Sequence, residues 1–190
     1  MRFLLASLLL ISATAAPAAD GFYVEGGALA HRYDLTVPGA STTGQSATGH
    51  AVAGALRLGY ALDDRWAVEA GYFNHGSPGY GYRLGTQDGH LTSHGRSWTL
   101  AGRGTLPLNE RFALVGRLGL ASNHSRLTGT GEAASRATSG ATTALYVGAG
   151  LETTLAPGWH WGLAWEHLGM NREHGGHVVN GLSTTLRYSF

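Results

Sequence analysis

The sequence has no cysteine, no lysine, little charge and no apolar run long enough for a membrane helix. Each absence excludes something. Without cysteine there is neither a disulfide framework nor a thiolate site. Charged residues make up only 13%, against about a quarter in an ordinary soluble domain, so a solvated globular surface is poorly supplied. No stretch reaches the roughly 20 consecutive apolar residues that a transmembrane helix needs. What is present is glycine, 30 residues of 190, and apolar residues at 43%, dispersed rather than blocked. That composition suits strands with one lipid face and one polar face, with a secreted β-sandwich as the bland alternative.

The N-terminus reads as an export leader. Met1 and Arg2 precede an apolar stretch over 3–11, followed by small residues over 12–19. Ala16-Pro17-Ala18 fits the small-x-small rule for signal cleavage, which predicts a signal peptide over 1–18 and one mature domain over 19–190. Losing Arg2 takes the formal charge from +1 to zero, so no nucleic-acid partner is expected.

Downstream, side-chain character alternates with period two, as in strands with two chemically different faces. The alternation predicts strands over 22–32, 50–62, 66–73, 98–106, 112–121, 145–152, 159–166 and 182–190. Each is about the 9 to 11 residues of a tilted membrane strand. Tight turns at 63–65, 107–110 and 156–158 are rich in Asp, Asn, Pro and Gly. Long polar connections at 34–47, 75–94, 123–140 and 169–178 alternate with them, and the Gly-rich stretch 76–85 reads as loop. The expectation is an all-β, eight-stranded antiparallel up-and-down transmembrane β-barrel in the outer membrane of a Gram-negative bacterium. Trp66, Trp98, Trp159, Trp161, Tyr60 and Tyr188 fall on the lipid face as interfacial girdles.

The opposite face carries one charge per strand: Glu25, Arg57, Glu69, Arg103, Arg117, Glu152, Glu166 and Arg187. Inside a narrow barrel such charges must be paired. Strand neighbours of opposite sign are Glu25–Arg57, Arg57–Glu69, Glu69–Arg103, Arg117–Glu152, Glu166–Arg187 and Arg187–Glu25. A salt-bridged plug is the expectation, with a gate admitting small ions as the alternative.

Gly21-Phe22-Tyr23-Val24, Leu58-Gly59-Tyr60, the run Trp66-Ala67-Val68-Glu69-Ala70-Gly71-Tyr72, Gly116-Arg117-Leu118-Gly119 and the ending Leu186-Arg187-Tyr188-Ser189-Phe190 occur in this order. Through them the mature chain resembles the OmpA/OmpX-type small outer-membrane β-barrel family. The resemblance implies the barrel domain alone, with no peptidoglycan-binding domain after Phe190. It also implies recognition by the barrel-assembly machinery through Tyr188 and Phe190, and an interior salt-bridge gate like that of the family.

Two enzyme types share this barrel size, lipid A deacylases and palmitoyltransferases. A deacylase would resemble His-x-Ser on a late strand, but here Glu166-His167-Leu168-Gly169 puts glycine at the nucleophile position. The amphipathic N-terminal helix of a palmitoyltransferase is not visible. The pairs His174/His177 and His90/His94 sit in Gly-rich sequence without further ligands, so neither a metal nor another cofactor is expected. Arg32, Arg96 and Arg126 have outward parity at the extracellular rim, where they could hold lipopolysaccharide phosphates. The functional expectation is a monomeric structural or surface-interaction protein, with a narrow ion channel as alternative and a lipid A-modifying enzyme third. Its partners would be outer-membrane lipid and lipopolysaccharide, and any other ligand would meet the long loops.

Overall fold

The computed structural model describes residues 21–36, 46–77, 79–84, 87–130, 138–169 and 179–190. They form β1 (Phe22–Thr36), β2 (Ser46–Ala61), β3 (Trp66–Asn74), β4 (Gly79–Leu84), β5 (Gln87–Pro107), β6 (Phe112–Thr130), β7 (Thr138–Ala156), β8 (Trp159–Leu168) and β9 (Val179–Ser189). All pairings are antiparallel. β1 pairs with both β2 and β9, and β3 pairs with β5, so eight strands close into a ring and leave no membrane-level edge. β4 lies outside that count. It continues the line of β3 along β5, since Asn74 faces Arg96, the His75 amide donates to the Gly95 carbonyl, and Gly79 faces Thr92.

Why these segments close in this way follows from their two faces. Along β3 the outward residues Trp66, Val68 and Ala70 are exposed, and the inward Ala67, Glu69, Gly71 and Phe73 are buried. The usual order of a soluble protein is inverted: Leu100 and Leu118 are each 63% exposed, whereas Glu25 and Arg57 are each 1% exposed. Only a hydrocarbon surround makes that distribution favourable, because apolar area then faces lipid and the charges are paired inside. Aromatics ring the outside, with Phe22 on Tyr60, Tyr72 on Trp98 and Trp159 on Tyr188, all at centroid distances of 4.8 Å.

Two tight turns use the same device. Asp63 Oδ1 accepts from the amides of Arg65 and Trp66, both at 2.7 Å, and Asn109 Oδ1 accepts from those of Arg111 and Phe112, both at 2.9 Å. Short acceptor side chains thereby satisfy turn amides that the ladder leaves over.

The long connections differ from the sequence expectation. The segment 75–94 contains all of β4 and the first residues of β5, so 76–85 is not simply loop. β6 runs on to Thr130 and β7 begins at Thr138, which shortens 123–140. β1 and β2 likewise extend to Thr36 and from Ser46. Beyond the bilayer both faces of a strand meet water, so the apolar alternation that marks strands is lost while the backbone ladder continues. Residues 170–178 and 1–20, the latter including the expected signal peptide over 1–18, lie outside the described residues.

Candidate functional site

The inward charges of the eight barrel strands meet in the lumen. Arg57 bonds Glu25 at 2.5 Å and Glu166 at 2.5 and 2.6 Å. Arg117 reaches Glu25 at 2.8 Å and Glu69 at 2.8 Å. Arg103 lies 3.7 Å from Glu69 and 3.0 Å from Glu152, and Arg187 bonds Glu152 at 2.6 Å. The result is one unbroken alternating chain: Glu166, Arg57, Glu25, Arg117, Glu69, Arg103, Glu152, Arg187. Each interior member has an opposite charge on both sides, and four carboxylates balance four guanidiniums. Planar five-donor guanidinium groups make such double engagement possible where an ammonium would give one point contact.

Several expected pairs are replaced. Glu25–Arg57 and Glu69–Arg103 join neighbouring strands of the ring, but Arg57–Glu69, Arg117–Glu152, Glu166–Arg187 and Arg187–Glu25 give way to contacts across the lumen. The cause is stagger. Glu69 faces Gly59 and Ala101, Glu166 faces Gly148 and Gly181, and Arg117 faces Gly148 and the like-charged Arg103. Closing a barrel offsets neighbouring strands in height, so one charge per strand does not form a level ring. Arg187 does face Glu25 in register, yet its guanidinium turns to Glu152 while Glu25 takes Arg57 and Arg117.

Sequence reasoning passed over the neutral residues that complete this network. Tyr23 donates to Glu69 at 2.7 Å, and its ring lies 5.7 Å from the Arg103 guanidinium carbon and 5.1 Å from that of Arg187. Tyr146 and Ser183 donate to Glu166 at 2.9 and 2.6 Å, and Phe73 lies 4.9 Å beneath Arg57. Their inward parity was the available signal. Toward the end of the barrel away from the tight turns, the buried Leu29, Phe73, Tyr146 and Leu168 form an apolar layer. Beyond it His75 Nε2 meets Ser97 Oγ at 2.8 Å, Ser97 donates to Asn123 Oδ1, and Asn123 donates to the Gly169 carbonyl at 2.6 Å.

Tight approach explains one glycine. Tyr23 faces Gly59 across β1 and β2, and a Cβ on Gly59 would sit 2.0 Å from the Tyr23 ring. The ring covers the bare backbone, as aromatic residues do beside strand glycines.

On the outer surface the rim arginines separate. Arg32 stands on β1 between His50 and Asn180, whereas Arg96 on β5 and Arg126 on β6 line one concave pocket. His167 Nδ1 meets Asn180 Oδ1 at 2.6 Å, and His94 Nδ1 meets Ser77 Oγ at 2.7 Å. Among the described residues no three His, Asp or Glu side chains converge as metal ligands. His174 and His177 lie outside the described residues, as does the side chain of His90.

A closed antiparallel ring, apolar outside and charge-paired inside, defines a small transmembrane β-barrel. The outer membrane protein beta-barrel domain model matches residues 3–190, and the chain belongs to that family. Its place is therefore the outer membrane. No curated protein sequence matches it. Among solved structures, the attachment invasion locus protein Ail of Yersinia pestis, crystallised with the heparin analogue sucrose octasulfate, is 17% identical with a TM-score of 0.53, over 88% of this chain and 99% of that one. Neisserial surface protein A is 19% identical with a TM-score of 0.54, covering 90% and 97%. OprG of Pseudomonas aeruginosa is 15% identical with a TM-score of 0.56, covering 91% and 98%. These likenesses establish the shared fold.

Proposed function

We propose that this protein is a closed, non-catalytic outer-membrane barrel with a structural or surface-interaction role, its lumen plugged by the Arg/Glu chain. The observation that carries the reading is the eight-residue alternating sequence of ion pairs from Glu166 to Arg187. A passing ion would have to replace pairs that are desolvated and doubly engaged, and the apolar layer of Leu29, Phe73 and Leu168 adds a second barrier. On this reading the barrel works as a monomer, exported by a signal peptide over 1–18 and inserted by the assembly machinery through Tyr188 and Phe190. Interaction with the outside falls to the extracellular ends of the strands. There Arg32, Arg96 and Arg126 are exposed and contact phosphorylated glycolipid of the outer leaflet.

Planar-bilayer recording on the refolded barrel tests the plug. The expected trace has no reproducible unitary conductance. Discrete channels that vanish on Arg57→Ala or Glu25→Gln substitution would replace the plug by a salt-bridge gate. Mass spectrometry of lipid A from cells with and without the protein tests the non-catalytic part. An acyl change dependent on the protein would overturn it.

A further inference from the structure

The outward face of β5 and β6 carries an arrangement that neither the lumen nor the lipid band requires. His94 faces Arg126 and Arg96 faces His124, a two-by-two checkerboard of arginine and histidine. All four side chains line one concave pocket of about 700 Å³, bordered by Tyr72 and Asn74 of β3 and by Ser139 of β7. No carboxylate lines it. Like charges that face one another across strands destabilise a sheet, and diagonal neighbours, about 7–8 Å apart, remain within reach of long side chains. The diagonal pair here is Arg96 and Arg126. Both are exposed, and among the described residues neither has an ion-pair partner. Independently, His124 Nδ1 is buried without a hydrogen-bond partner. Two exposed guanidiniums without carboxylate partners on one concavity, beside an imidazole whose Nδ1 is buried, are a surface arranged for an anion.

The position says where the anion comes from. One step down the same strands, Trp98 packs against Tyr72 with the rings tilted, and Leu100 faces Leu120 below them. Two strand residues span about 7 Å, so the pocket opens just above the aromatic girdle, at headgroup level.

We propose that this pocket binds a phosphate carried on an outer-leaflet lipid, with Arg96 and Arg126 clamping its oxygens. The proposal rests on the glycolipid reading above and narrows it, from three equivalent rim arginines to one two-arginine site that excludes Arg32.

The test uses the refolded barrel in phosphatidylcholine nanodiscs carrying graded amounts of bisphosphorylated lipid A, with bound lipid counted by native mass spectrometry. Both arginines are exposed, so Arg96→Gln/Arg126→Gln keeps the fold, checked by heat-dependent gel migration. The double variant should bind at least about tenfold more weakly, given the strength of charge-assisted hydrogen bonds. Arg32→Gln, outside the pocket, should weaken binding by less than the double variant does, and dephosphorylated lipid A should not distinguish parent from double variant. Unchanged binding in the double variant with loss in Arg32→Gln would sink the pocket but keep the rim reading. Unchanged binding in both would overturn both. Displacement of lipid A by equimolar inorganic phosphate would reassign the pocket to soluble anions and overturn the lipid source.

Discussion

Arg57 joins two buried carboxylates of the lumen, Glu25 and Glu166. It is the cation nearest Glu166, and it shares Glu25 with Arg117. Arg57→Met leaves the Glu166 carboxylate buried with only the Tyr146 and Ser183 hydroxyls. Removing one partner of a buried pair costs about 3–5 kcal/mol, so urea unfolding of the refolded barrel should show a loss of that size. Adding Glu166→Gln should return part of it, because an amide needs no counter-charge. Equal stability of Arg57→Met and the parent would show that the carboxylate has another source of charge. Gly59→Ala is a second residue-scale test. Its new methyl group collides with the Tyr23 ring, which also supports Glu69, so a cost of about 1–3 kcal/mol from overpacking is expected in the same assay. The eight charges were legible from parity alone. Tyr23, Tyr146 and Ser183 were not, since a neutral inward residue looks the same in sequence whether it fills space or bonds a carboxylate.

For the strands, the lipid face sets the tolerance. Leu118 sits mid-strand on β6 with its side chain in hydrocarbon, whereas Leu108 lies in the turn after β5. Leu118→Arg should cost about 2–4 kcal/mol and Leu108→Arg no more than about 1, measured as unfolding free energy in vesicles. Equal costs at the two positions would displace the membrane band from where the exposed leucines put it. The membrane-level segments of these strands were readable because lipid on one side and charge on the other enforce strict alternation. Their extensions beyond the membrane were not. In β4 and the first half of β5, residues such as Gly79, Gly81, His90 and Thr92 read as loop, although the ladder pairs them through the registers Gly79–Thr92 and Gly81–His90.

For the whole barrel, burial of the charge chain has a consequence for salt. Screening lengths fall from about 10 Å at 0.1 M to about 3 Å at 1 M, but desolvated pairs are screened far less than solvated ones. Unfolding free energy should therefore change by less than about 1 kcal/mol between those salt concentrations, a typical worth of solvated pairs. A steep fall with salt would mean a hydrated lumen and would favour the gated-channel alternative. Closure also decided the pairing. Ring neighbours suggested Arg57 with Glu69 and Glu166 with Arg187, and the stagger of the strands substituted Arg57 with Glu166, Arg117 with Glu69 and Arg187 with Glu152.

Alternation, turn chemistry and the sorting of charge were sufficient to specify the number and order of the eight ring strands and their membrane placement, because each is a local response to lipid or water. Which guanidinium meets which carboxylate, and that Arg96 and Arg126 share a pocket while Arg32 stands apart, depended on the tilt and register of the closed ring. Those are properties of the assembled strands, and no single segment carries them.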